Sequence, residues 1–222
     1  MKNIFREFVW LSLAVLVLLT SSPDSGFSLL DSVGQVNVRS QPVFVIRGGA
    51  TLNVGSFGRK LENGDIVVTG EAGKAQIIMS DKSEIILASS AKLTVFEKST
   101  QSTFKKIKSF LFSFEGKIRA KFRKSDGRRV KFKSANAEIN IKGTEFVAEN
   151  VNRTTTVATI EGLVNMSSVK TGSNIDIPPG KMSSISAAGE VMPLSEIAGE
   201  ILKGVEAAGE KMIEEDIAGK KI

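Results

Sequence analysis

Glu62 with Asp65, and Asp81 with Glu84, are the residues whose type and spacing come nearest to chemistry, because a carboxylate pair can divide general acid from general base. Such a dyad needs a cleft and two separated pKa values, and the local sequence offers a simpler role. Asp65 follows Gly64, where an Asp side chain bonds nearby backbone N–H groups in a turn. Thr144 after Gly143 reads as structural in the same way. The 222 residues contain no His, no Cys and no Tyr, which removes Ser-His-Asp and Cys-His nucleophile systems, imidazole or thiolate metal sites, and disulfides. No phosphate-binding loop, nucleophile elbow, zinc-protease helix or calcium loop occurs. The expectation is a protein that is not an enzyme, with no catalytic residue, cofactor or metal.

A second constellation is electrostatic. The chain carries a formal charge of +6, but residues 105–133 hold twelve basic and two acidic side chains, a local +10. Residues 190–222 carry −4, and the remainder is neutral. Within the basic stretch, Phe110, Phe112, Phe114, Ile118, Ala120, Phe122, Val130 and Phe132 occupy even positions, the inward face of a regular strand. Lys117, Arg119, Lys121, Arg123, Arg129, Lys131 and Lys133 occupy odd positions, the outward face. With Asp126-Gly127 as turn, the pattern predicts an antiparallel hairpin with seven cations on one side. Like charges opposite one another oppose stability, so this face has two readings: an edge hairpin kept soluble by charge, or a binding face for an anionic partner. Lipopolysaccharide, phospholipid headgroups and acidic polysaccharide fit the second reading, and an acidic protein or the chain's own acidic tail fits it too. Nucleic acid is disfavoured because the patch aromatics point inward, away from stacking.

Strands must position these residues. Period-2 alternation between turn signals predicts strands at Ile66–Thr69, Ala75–Met79, Glu84–Leu87, Phe110–Phe114, Lys117–Phe122 and Arg129–Phe132. The series continues through Ala137–Ile141, Thr144–Glu149, Thr154–Ile160, Leu163–Ser167, Ser173–Ile177 and Lys181–Ile185. The spacing argues an all-β body. Residues 1–28 read as a secretory signal peptide: Lys2 and Arg6, the apolar run Phe8–Thr20, then small polar residues with cleavage expected after Ser28. That run is short for a membrane anchor, so an uncleaved anchor is the lesser expectation. After Pro193 the apolar positions Leu194, Ile197, Ile201, Val205, Ala208, Met212 and Ile217 recur at helical intervals, predicting an acidic amphipathic helix or tail over 189–222. The expected organisation is thus signal peptide 1–28, β domain 29–188 and C-terminal segment 189–222.

Five segments then carry a resemblance in order. Leu61-Glu62-Asn63-Gly64-Asp65-Ile66-Val67-Val68-Thr69 resembles the opening of FecR domains, and the segment around Asp81-Lys82-Ser83 is similar to the family's following hairpin, with Lys82 in place of the usual Gly. Ala137-Glu138-Ile139-Asn140-Ile141-Lys142-Gly143-Thr144-Glu145-Phe146 resembles the later signature, and Gly162 and Gly180 sit in segments matching the closing elements. The resemblance covers Val33 to Ser186. It implies a FecR-like β-roll or right-handed β-solenoid in which Gly64, Asp65, Thr69, Asp81, Ser83, Gly143, Thr144, Phe146, Gly162 and Gly180 are structural. It also implies interaction rather than catalysis. FecR regulators relay signals to a sigma factor through a cytoplasmic segment, whereas seven residues precede the apolar run here. The expectation is therefore a stand-alone module of the periplasm or cell envelope. It would bind an anionic glycan or lipid of the envelope through the basic hairpin, or alternatively dock an envelope protein by a sheet edge or the C-terminal helix.

Overall fold

In the computed structural model, residues 32–102, 105–124 and 128–206 are described. The expected signal peptide, the Asp126-Gly127 turn signal, and Ala208, Met212 and Ile217 lie outside these residues. The chain divides into two units, Met1–Asp31 and Ser32–Ile222, and the second holds every strand described below.

Alternation of apolar and polar residues builds the strands. In β6 (Lys74–Met79) Ala75, Ile77 and Met79 are buried while the residues between them are half-buried, and β11 (Ala137–Ile141) repeats the pattern. The strands form two sheets. Sheet A runs β4 (Arg59–Leu61), β1 (Gly34–Ser40), β6, β7 (Glu84–Leu87), the C-terminal part of β9 (Lys105–Lys121), β12 (Glu145–Val151), β13 (Thr154–Glu161), β16 (Lys181–Ile185) and β17 (Ser195–Glu196). Sheet B runs β3 (Ala50–Asn53), β2 (Val43–Arg47), β5 (Ile66–Thr69), β8 (Lys92–Ser102), the N-terminal part of β9, β10 (Arg128–Lys133), β11, β14 (Val164–Ser168) and β15 (Asn174–Ile177).

The inner faces of both sheets close on one core. Val36, Ile77, Ile85, Ile118 and Phe146 from sheet A meet Val45, Val67, Leu93, Phe112 and Phe132 from sheet B in a single buried cluster. Phe132 bridges the layers, 4.6 Å from Phe112 on its own sheet and 5.2 Å edge-on to Phe146 opposite. This is a β-sandwich. All described ladders are antiparallel except β9 with β10, so the described strands are not the stacked parallel rungs of the expected solenoid.

β9 explains the exception. Gly116 takes φ +79°, and an added Cβ there would lie 3.0 Å from the backbone of Ser90 and Ala91. At this glycine the strand leaves sheet B, where Phe114 pairs with Leu93, and enters sheet A, where Ile118 pairs with Leu87 and Ala148. The chain then returns to sheet B, and β10 lies parallel to residues 108–113 of β9. The second half of β9 is itself the crossover that a parallel pair requires.

The expected C-terminal helix is cut to one turn among the described residues. Ser195 and Glu196 pair with Met182 and Lys181, and α1 (Gly199–Leu202) follows. Ala198 gives the helix no side-chain cap, and Gly204 at φ +85° ends the turn. The amphipathic pattern is nevertheless used: Ile201 and Val205 are buried against Ile86, Ala88, Val147 and Ala158 on the outer face of sheet A. Arg39 Nη1 donates to the Glu206 carbonyl at 3.0 Å, tying the far end to β1. The segment is a strap across sheet A.

Candidate functional site

The signature residues occupy the corners of the sandwich. Asp65 is 1% exposed and accepts from Arg47 Nε at 2.8 Å, Arg47 Nη2 at 2.6 Å and the Glu62 N–H at 2.8 Å. Arg47 also reaches Glu62, and the hydrogen bonds it donates to Asp65 raise the Arg47 pKa against the opposing effect of burial. The first carboxylate pair is thus spent on one guanidinium. Gly64, at φ +90°, makes the turn that places Asp65. Thr69 Oγ1 lies 2.6 Å from the Ala88 carbonyl and accepts from the Ala91 N–H at 2.9 Å, fastening β5 to the loop before β8.

At the next corner the Asp81 carboxylate accepts from the Ser83 N–H at 2.8 Å and pairs with Arg128, and Ser83 is buried. Lys82 holds φ +67°, so the turn keeps a left-handed residue although Lys stands there. Asp81 and Glu84 do not form a dyad, because Glu84 instead accepts from Gln76 at 2.5 Å. Gly143 and Gly162 have positive φ, and a Cβ on either would meet backbone: Lys124 N at 2.8 Å, and the Gly143 carbonyl oxygen at 2.6 Å. Thr144 Oγ1 donates to the Leu163 carbonyl at 3.1 Å, Phe146 fills the core, and Gly180 turns at φ +78°. Among the described residues no cluster of three or more Asp or Glu side chains is placed to hold a metal.

The expected cationic hairpin does not form; β9 and β10 divide its residues between the sheets. Lys117 and Lys121 lie on sheet A opposite Glu149 and Glu145, and Arg119, opposite Val147, reaches Glu145 along the strand. Arg119 Nη2 is 2.5 Å and Lys121 Nζ 2.7 Å from Glu145, and Lys117 Nζ is 3.3 Å from Glu149. Burial pushes the Glu145 carboxyl up, but hydrogen bonds from Lys121 and Arg119 outweigh it and hold the group below the usual carboxylate range. The same bond raises the Lys121 pKa. Arg123 is exposed in the loop after β9.

Arg129, Lys131 and Lys133 lie on the outer face of sheet B. Lys131 and Lys133 each approach Glu138 at 2.6 Å, and these two hydrogen bonds depress the Glu138 pKa against burial. Arg129 is exposed. Registers place further residues on this face: Lys98 pairs with Ser109 and Ser109 with Arg129, while Phe96 pairs with Leu111 and Leu111 with Lys131. Phe96 and Leu111 are 44% and 36% exposed, an apolar pair at the centre of cations. This grouping escaped the sequence reading, although Lys92–Lys98 alternates polar or exposed positions with buried Leu93 and Val95.

The corners and the two-sheet core define an all-β sandwich whose signature polar residues hold loops. Comparison with known families agrees with the resemblance of these segments: the FecR protein family model matches residues 65–165. No curated protein sequence matches the chain. Two crystal structures of a proposed anti-sigma factor from Parabacteroides distasonis ATCC 8503 share the fold, at TM-score 0.50 with 12% and 14% identity. Each match covers 61% of this chain and 61% of the other, under two thirds of that protein's length.

Proposed function

We propose that the chain is a non-catalytic FecR-type binding and regulatory module, exported to the periplasm or cell envelope by its N-terminal apolar segment. It engages an anionic envelope component through the outer face of sheet B. The observation that carries this reading is the distribution of acidic partners. On sheet A, Lys117, Arg119 and Lys121 face Glu145 and Glu149, so their charge is largely spent within the protein. On sheet B, Lys131 and Lys133 share one carboxylate, and Arg129 and Lys98 stand exposed beside them. The binding face therefore keeps three of the seven cations the odd positions suggested, with Lys98 added.

The test is retention of the protein on dextran sulfate as salt is raised from about 50 to about 300 mM, a range over which exposed charge pairs become screened. Retention at low salt that is lost with salt, and weakened in Lys98→Glu/Arg129→Glu, is expected. Absence of retention at low salt, or indifference to the double substitution, would overturn the reading.

The likeness to a proposed anti-sigma factor favours a second reading, a signalling module that docks another envelope protein by a sheet edge. The strap argues against docking by the tail as far as Glu206, because Ile201 and Val205 are already buried on the module's own sheet. In-cell crosslinking from β3 and β15, the edge strands of sheet B, tests it: a specific protein adduct supports docking, and its absence removes the reading.

A further inference from the structure

We infer that the anionic component is a lipid bilayer surface, met by the outer face of sheet B with Phe96 and Leu111 as its apolar contact. The inference rests on the anion-binding reading above and names its ligand. Phe96 and Leu111 are directly opposed across the β8–β9 ladder, and both point away from the core that Val95, Phe110 and Phe112 fill. Lys98 and Arg129 occupy the row on one side of this pair, Lys131 adjoins Leu111 in the same row, and Lys133 lies one row beyond. An exposed Phe–Leu pair flanked by cations on one side and an apolar strip on the other offers more apolar contact than a highly charged soluble polyanion such as dextran sulfate can use. It matches an interface of two chemistries: phosphate headgroups for the cations, and the headgroup–acyl boundary for the apolar side chains.

The rest of the face agrees. Toward β3 the outward residues are Phe44 and Ile46 of β2 and Ile66 and Val68 of β5, all half-buried on a face where Phe44 pairs with Val68 and Ile46 with Ile66. Ile66 pairs with Thr94, the outward neighbour of Phe96, so the apolar strip reaches the Phe–Leu pair. The opposite sheet makes the contrast. Its outer apolar residues are covered by the strap, whereas among the described residues no element covers the outer face of sheet B.

Cosedimentation of the secreted form, beginning at Leu29, tests the inference; its Ser32–Ile222 unit contains the whole described core and every described ladder. The probes are phosphatidylglycerol/phosphatidylethanolamine vesicles, phosphatidylcholine vesicles and soluble dextran sulfate. The expected result is binding to the anionic vesicles, little binding to phosphatidylcholine, and a fall of about tenfold or more in vesicle partitioning for Phe96→Ser/Leu111→Ser. Both positions are exposed, and an unchanged melting curve checks that the variant folds. Its retention on dextran sulfate should stay as in the wild type. Vesicle binding undiminished in that variant overturns the inference. Dextran sulfate binding without vesicle binding overturns it while leaving the anion reading intact, and binding to neither overturns both. A concentration-dependent dimer that the double substitution abolishes, without vesicle binding, would assign the face to a second copy and also overturn it.

Discussion

Asp65 and Thr69 show how buried polar groups serve as structural ties. Each has hydrogen-bond partners from separate segments, and removing one end leaves the others without water to replace it. Thr69→Val should therefore cost about 1–3 kcal/mol, read by urea denaturation, because the Ala91 N–H loses its acceptor in a buried site. Lys82 is the converse case. Its left-handed φ of 67° strains a residue with a Cβ, so Lys82→Gly should stabilise the fold by up to about 1 kcal/mol in the same assay. The turns at Gly64-Asp65 and Asp81-Lys82-Ser83 were legible in the sequence as turn chemistry. The guanidiniums that complete two corners, Arg47 and Arg128, were not legible, because they lie far along the chain from Asp65 and Asp81.

Glu145 sets a pH dependence at the same scale. Its folded pKa lies below the ordinary value of about 4.3, so the stability it contributes is complete above that value and is lost as pH falls through the folded pKa. Glu145→Gln should be less stable than the wild type at neutral pH, where Arg119 and Lys121 lose the Glu145 carboxylate. The two proteins should converge as pH falls through the folded pKa of Glu145, measured by thermal melts across pH.

At the scale of elements, periodicity recovered the strands whose two faces differ. The spans predicted at Ile66–Thr69, Glu84–Leu87, Ala137–Ile141 and Lys181–Ile185 coincide with β5, β7, β11 and β16. β2 and β8 were missed. In β2, Phe44 and Ile46 blur the apolar–polar contrast, and in β8 the outward Phe96 does the same. β9 was misread for another reason: parity holds through Gly116, so inward and outward residues were assigned correctly while the sheet they belong to changed. Partner choice depends on the bend at Gly116, and alternation carries no information about it.

Two predictions belong to elements. Gly143→Ala should destabilise by about 2 kcal/mol or more, since the new Cβ needs a disfavoured φ and meets Lys124 backbone between β9 and β10. In the strap, Ile201→Ala should leave the core intact and loosen residues 195–206. Hydrogen exchange should rise there and at the outer face of sheet A, with little change in β6 or β11.

For the whole molecule, the +6 charge conceals an arrangement in which one sheet neutralises its cations and wears a strap, while the other presents cations around an apolar centre. The local excess of positive charge was plain in the sequence. Its division between two faces was not, because it follows from β9 changing sheets and from Glu145 and Glu138 arriving on later strands. The chain contains no Cys, so a single introduced thiol reports one position only. Leu111→Cys labelled with a polarity-sensitive dye places a probe at the centre of the sheet B face, and Gln35→Cys places one on the outer face of sheet A. With phosphatidylglycerol vesicles added to residues 29–222, a blue shift at position 111, absent at position 35 and reversed by salt, is the predicted result; a shift at position 35 alone, or at neither, would contradict the assignment of sheet B as the binding face.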